Sequence, residues 1–161
     1  MAYEIERKFL VESDSWRTQV YKTLSIKQAY FCNTDKASLR VRISDQSGFI
    51  SSKTMTQEIR RHEFEYEIPL HDAEFMLNYM CMGSPIIKLR HLVKVDEHVW
   101  EIDEFQGDNE GLIVAEIEIE HEDESFTRPD WAGSEVSADR KYINVSLVSN
   151  PYKNWATTDK L

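Results

Sequence analysis

The stretch YEIERKFLVE, residues 3–12, decides how the chain is read. Side chains two apart on a strand share a face. One face therefore carries Glu4, Glu6 and Lys8, while the other carries Ile5, Arg7, Phe9 and Val11. Such a strand raises the question of what two carboxylates and an ammonium point toward. The rest of the chain repeats the design. In ASLRVRIS (37–44), Arg40 and Arg42 oppose Leu39, Val41 and Ile43. In RRHEFEYEIP (60–69), Glu63, Glu65 and Glu67 oppose Phe64, Tyr66 and Ile68. IIKLRHLV (86–93) sets Lys88 and Arg90 against Ile87 and Leu89, and VWEIDEF (99–105) sets Glu101 and Asp103 against Trp100 and Ile102. VAEIEIE (114–120) sets Glu116, Glu118 and Glu120 against Ala115, Ile117 and Ile119.

A solvated face of an antiparallel sheet carries the same residue types. What speaks against that reading is how the charges are sorted: they come as like pairs along each strand. Two like charges about 7 Å apart repel by ~0.6 kcal/mol in water and by ~2.4 kcal/mol at an effective dielectric near 20. An enclosed face of this kind needs a bound group of opposite sign. Carboxylate pairs suit a divalent cation such as Mg²⁺ or Mn²⁺. Paired Arg and Lys suit phosphate oxygens.

Composition sets the outer limits. A chain of 161 residues has the length of a single domain, read here as 1–161, with room for a real core. The formal net charge of −10 argues against a general nucleic-acid surface. No apolar run approaches a membrane span, and nothing near the N-terminus reads as a signal peptide. Cys32 and Cys81 lack metal or redox spacing, so a reduced, cytoplasmic setting is expected.

The alternation predicts strands over 2–11, 23–33, 38–45, 48–56, 60–69, 85–95, 97–106 and 112–121. NTDKA (33–37), DQSG (45–48), DEH (96–98) and QGDNEG (106–111) read as the turns between them. DSW (14–16) opens a short helix. PLHDAEFMLNYMCMG (69–83) predicts a longer one, with Asp72 as N-cap, Gly83 as stop, and Phe75, Met76, Tyr79 and Met80 in the core. A last helix is expected from about Ala138 to Val148. The fold class is mainly β (α+β): eight strands with few helices suggest an antiparallel barrel or sandwich. The paired charges favour an eight-stranded antiparallel barrel whose charged faces line a tunnel, with a few helices outside and a C-terminal closing helix. The apolar outer face calls for cover from helices or from a second copy of the chain, as a homodimer. Arg7, on that outer face, is expected at the surface or an interface.

The ordered set of segments resembles the CYTH domain family, the triphosphate tunnel metalloenzymes. EIERKFLV (4–11) resembles that family's Glu-x-Glu-x-Lys signature as short bacterial members carry it. LRVR, RRHEFEYEIPL, IIKLR, WEIDEF and VAEIEIE follow in the family's order, and WAGSEVSADRKYINVSL (131–147) resembles its tail. The resemblance implies an eight-stranded tunnel that binds triphosphate-containing small molecules with a divalent metal, Mg²⁺ or Mn²⁺. It implies metal-binding roles for Glu4, Glu6, Glu63, Glu65, Asp103, Glu116 and Glu118, with Asp103 tied either to metal or to a basic neighbour. It implies phosphate-binding roles for Lys8, Arg40, Arg42, Lys53, Lys88 and Arg90, and catalytic roles for Lys88, Glu63 and Glu65. Glu67 continues the face of Glu63 and Glu65, which leaves the register of that acidic pair open by two residues. Tyr142 and Asn144 are read as holding the closing segment, and Glu101 and Glu120 as rim residues.

The activity implied is hydrolysis of inorganic triphosphate to diphosphate and phosphate. A class IV-type adenylate cyclase and a hydrolase of nucleoside or thiamine triphosphate are alternatives on the same scaffold. A non-catalytic polyphosphate or nucleotide binder is the alternative from a different class. No nucleic-acid or membrane partner is expected.

Overall fold

The computed structural model describes residues 3–56 and 58–160. Its strands are β1 (Tyr3–Val11), β2 (Val20–Asn33), β3 (Ala37–Ser44), β4 (Ser47–Thr54), β5 (Arg60–Ile68), β6 (Met82–Val95), β7 (His98–Phe105), β8 (Ile113–Glu118) and the short β9 (Ala132–Glu135). Two α-helices, α1 (Leu70–Tyr79) and α2 (Ser146–Ser149), and several 3-10 turns accompany them. All eight expected strands are present, although the first position of the expected 2–11 strand lies outside the described residues. Asp45 (φ 51°) and Asp96 (φ 53°) take left-handed conformations in the turns β3–β4 and β6–β7, where the strand twist favours them.

Hydrogen-bonded neighbours run β5-β4-β3-β2-β6-β7-β8-β1, and β5 pairs again with β1. Eight antiparallel strands thus close into a barrel, and β9 adds to β1. The closing ladder is short: Tyr3, Glu4 and Ile5 pair with His62, Arg61 and Arg60. Closure removes the sheet edges and separates an inner face from an outer one.

Apolar groups on the outer face are covered by the chain itself. Trp16, in a 3-10 turn before β2, and Trp131, before β9, bury Trp100, Ile102, Ile117, Phe9 and Val93. Arg7 pairs there with Glu135, Nε to Oε1 at 2.9 Å, and stands over the Phe126 ring at 5.1 Å. Its partial exposure matches the expectation of a surface place.

Helix α1 covers Ala29 and Val41, but with a different stripe from the one expected. Ala73 and Leu77 are buried, Met76 is half-buried, and Phe75, Tyr79 and Met80 are exposed. Close approach decides this. A Cβ placed on Gly48 of β4 would come within 2.6 Å of Ala73 Cβ, so only the Ala73 side of the helix can seat against the strand. Phe75 and Tyr79 instead meet each other, with ring centroids 5.0 Å apart. The N-cap is Pro69 rather than Asp72. Gly83 lies within β6 at φ 64°, where a Cβ would meet Val148 Cγ1 at 2.5 Å.

The expected helix over 138–148 is broken into a 3-10 turn at Arg140–Tyr142 and the four-residue α2. Ile143 and Val145 are β-branched and Asn144 is a weak helix former. The carbonyl of Tyr142 accepts from Lys8 Nζ at 3.1 Å rather than serving a helix. This segment packs Tyr142, Leu147, Tyr152 and Trp155 onto Ile86, Phe105, Val114 and Leu10. Register places those four strand residues on the inner face. One end of the barrel interior is therefore apolar and covered by the chain's own C-terminal segment, so charge does not line the tunnel along its whole length. Among the described residues no helix is long and apolar enough to cross a membrane.

Candidate functional site

Directly opposed residues of antiparallel neighbours share a face. From that rule the inner rows assemble strand by strand: Arg40 faces Ser51 and Ser51 faces Glu65, while Ser38 faces Lys53 and Lys53 faces Glu63. Lys8 faces Glu116, which faces Glu101. The like pairs along each strand thus lie beside unlike pairs from other strands, which answers the repulsion that each strand alone would suffer.

These rows enclose a cavity of about 250 Å³. It is lined by Glu4, Glu6, Lys8, Arg40, Arg42, Lys53, Glu63, Glu65, Lys88, Arg90, Glu116 and Glu118, together with residues of the β4–β5 loop and the C-terminal segment. Every expected site residue except Asp103 is present there. Glu67, exposed, does not line the cavity, so the acidic pair of β5 that faces it is Glu63 and Glu65.

Asp103 stands behind the bases. It is fully buried, accepts from Arg90 Nε at 2.7 Å and Nη2 at 2.8 Å, and also pairs with Lys88 Nζ. Both its oxygens are therefore engaged by cations, the basic-neighbour arrangement that the resemblance implied as one of two for this acid. Burial opposes its charge, but Arg90 and Lys88 hold its carboxyl below the ordinary range.

The other acids are also matched with bases. Lys53 Nζ donates to both oxygens of Glu4 at 2.7 and 2.9 Å. Lys8 pairs with Glu116 at 2.8 Å, and Arg90 Nη2 reaches Glu116 at the same distance. Arg42 reaches both oxygens of Glu65 at 2.9 Å. Arg40 is aimed by Ser51, whose hydroxyl accepts from Nε at 2.8 Å, and stands 3.5 Å from Glu63. Among the described residues no set of three His, Cys, Asp or Glu side chains is already gathered as metal ligands.

The balance of charge is uneven. Burial pushes the Glu6 carboxyl up, and neighbouring Glu116 and Glu4 push it further than Lys53 and Lys8 pull it back. Glu118 is raised by burial and by Glu4, Glu101, Glu6 and Glu63. Glu116 goes the other way: burial is outweighed by Lys8, Arg90 and Lys88, which hold it well below the carboxylate range. On the basic side, burial and Arg90 bring Lys88 down to about 8, against the pull of Asp103 and Glu116. Burial and Arg40 lower Arg42, whose Nε is buried with no partner among the described residues. One wall therefore holds carboxylates short of positive charge, and the other holds crowded cations with an unpaired donor.

Several lining residues escaped the sequence reading. Arg61 shares the inner face of Glu63 by simple alternation, so its signal was present. Tyr30 lies opposite Arg40 across β2–β3, a relation legible only from the register. Glu101, read as a rim residue, lines the cavity and pairs with Arg90. Glu120, read likewise, does not line it. Asp139 comes from the C-terminal segment, which no strand pattern places, and Asn144, read as holding that segment, lines the cavity as well.

Comparison with known proteins adds four findings. A family model described as CYTH domain matches residues 2–150. An inorganic triphosphatase of Acetivibrio thermocellus is 44% identical over 156 residues, 96% of this chain and 99% of that protein. An inorganic triphosphatase of Nitrosomonas europaea is 32% identical over 149 residues, 90% of this chain and 96% of that protein. A crystal structure of an inorganic triphosphatase superposes with a TM-score of 0.65 at 30% identity, over 92% of this chain and 95% of the other.

Proposed function

This chain belongs to the CYTH domain family, and on that premise we propose that its lumen hydrolyses inorganic triphosphate to diphosphate and phosphate with the aid of a divalent cation. The observation that carries the reading is the single cavity lined both by Lys8, Arg40, Arg42, Lys53, Lys88 and Arg90 and by Glu4, Glu6, Glu63, Glu65, Glu116 and Glu118. A small polyanion with a hard cation satisfies both walls at once.

The family is metal-dependent. The donor set fits a hard ion: oxygen ligands only, with Glu6 and Glu118 short of positive charge. Glu4, Glu6, Glu116 and Glu118, with Glu63 or Glu65, would hold Mg²⁺ or Mn²⁺. When bound, such an ion neutralises phosphate charge and acidifies water.

The chain's own groups supply the rest. Lys8, Arg40, Arg42, Lys53 and Arg90 hold the phosphate oxygens and spread the charge that develops in transfer. Arg40 is pre-aimed by Ser51, and Arg90 by Asp103. A water oxygen attacks the terminal phosphorus, the bond to the diphosphate oxygen breaks, and the water's proton passes to a base. Lys88, brought to about 8, releases its proton near working pH and fits that role. Glu63 and Glu65 are the carboxylates that would orient the water.

The test is to incubate purified protein with inorganic triphosphate, and separately with ATP, each with Mg²⁺ or Mn²⁺, following phosphate and cyclic AMP together. Metal-dependent phosphate release from triphosphate is expected, and it should be lost in Glu4→Gln and Arg40→Ala. Cyclic AMP from ATP with little triphosphate cleavage would move the chain to the cyclase reading.

A further inference from the structure

Arg61 stands apart from the other lumen bases. Among the described residues its ion-pair partners are Glu4, at 3.6 Å, and Glu6, at 3.5 Å. It lies directly opposite Glu4 in the three-pair ladder that closes the barrel, at the start of β5. Its side chain is 17% exposed and lines the cavity. Its contacts are long beside the 2.7 Å of Lys53–Glu4 and the 2.8 Å of Lys8–Glu116. The guanidinium is thus held mainly by charge, with little directional hydrogen bonding to resist its release.

We infer that Arg61 is a built-in competitor for the metal-binding carboxylates, which weakens binding of a divalent cation alone and turns to phosphate oxygens once cation and triphosphate arrive together. The inference rests on the function proposed above and adds a residue to it. Glu4 and Glu6 are the acids that Arg61 bridges, and a hard cation seeks the same oxygens. When those oxygens are taken, the guanidinium loses its partners inside a mostly enclosed cavity. The nearest compensation is an anion, and a planar fork suits phosphate. Lys53 also pairs with Glu4, but it stands 3.6 Å from Glu63 as well and keeps that partner if Glu4 is taken. Arg61 has no such second anchor outside the Glu4–Glu6 pair among the described residues.

The experiment is a calorimetric Mn²⁺ titration of the protein without triphosphate, with melting temperature as a second readout, on wild type, Arg61→Gln and Arg61→Lys. Arg61→Gln is expected to bind Mn²⁺ about tenfold more tightly, the scale of one displaced ion pair, while the KM for triphosphate rises by a similar factor. Arg61→Lys, which keeps the positive charge on a shorter side chain, should fall between wild type and Gln in Mn²⁺ affinity; it carries the test if the Gln variant does not fold. Equal or weaker Mn²⁺ binding in the variants overturns the inference while leaving the triphosphatase reading intact. A wild-type protein that neither binds Mn²⁺ nor cleaves triphosphate overturns both.

Discussion

Asp103 grips Arg90 through two hydrogen bonds, 2.7 Å to Nε and 2.8 Å to Nη2, and is itself wholly sealed from solvent. The acid lies on β7 and the base on β6, directly opposed in the ladder, so the backbone sets their meeting. Removing one partner of such a pair leaves the other charge buried and uncompensated, at a cost of about 3–5 kcal/mol.

Asp103→Asn should therefore lower unfolding free energy by about 3 kcal/mol in urea melts and reduce triphosphate cleavage by misplacing Arg90 and Lys88. Its Mn²⁺ affinity, measured without triphosphate, should stay within about twofold of wild type, a negligible free-energy change. A tenfold loss of metal affinity would instead place Asp103 among the metal-binding acids.

The Lys88 pKa of about 8 sets a pH profile. Its free-amine fraction grows from roughly a tenth at pH 7 to nine tenths at pH 9, so kcat should rise about tenfold over that interval. Lys88→Arg should remove that limb. Stability has its own signature. Because the folded pKa is lowered, the charged ammonium costs stability below pH 8, and that cost is relieved as pH rises toward the unfolded value of 10.5. Asp103 and Glu116 act at the other end: their depressed values contribute stability above the unfolded carboxylate range, lost as pH falls through their folded values. Melts across pH separate the two arms, and a kcat that is flat from pH 7 to 9 would exclude Lys88 as the proton acceptor.

Glu6→Gln makes a prediction with opposite signs in two conditions. Glu6 is raised by burial and by Glu116 and Glu4, so its charge is a burden at pH 7. Replacing it by a neutral amide should raise the melting temperature in chelator. The further rise on adding millimolar Mn²⁺ should shrink, because one of the proposed ligands of the ion is gone. A variant that melts lower in chelator, or gains as much from Mn²⁺ as wild type, would contradict that placement of Glu6.

Much of this site could be read from alternation. The period of two put Glu4, Glu6, Lys8, Arg40, Arg42, Glu63, Glu65, Lys88, Arg90, Glu116 and Glu118 on inner faces, and the structure lines one cavity with all of them. Alternation could not read Asp103. It shares the inner parity of Glu101, yet its place behind Arg90 depends on which strand lies beside it. Helix α1 shows the same limit: a helical stripe through Phe75, Met76, Tyr79 and Met80 fits core spacing, but the small residues Ala73 and Gly48 set where the helix seats.

The amino-acid order alone determined the eight barrel strands, their two faces and the sorting of charge among them, because side-chain direction along a strand is a local property of the backbone; the short β9 was not legible there. The tertiary structure decided which acid meets which base, as when Lys53 reaches Glu4 across the closed barrel, 49 residues away. It also decided which end of the lumen is capped by apolar side chains from the C-terminal segment. Those outcomes depend on register, closure and close approach between distant segments, which local alternation does not encode.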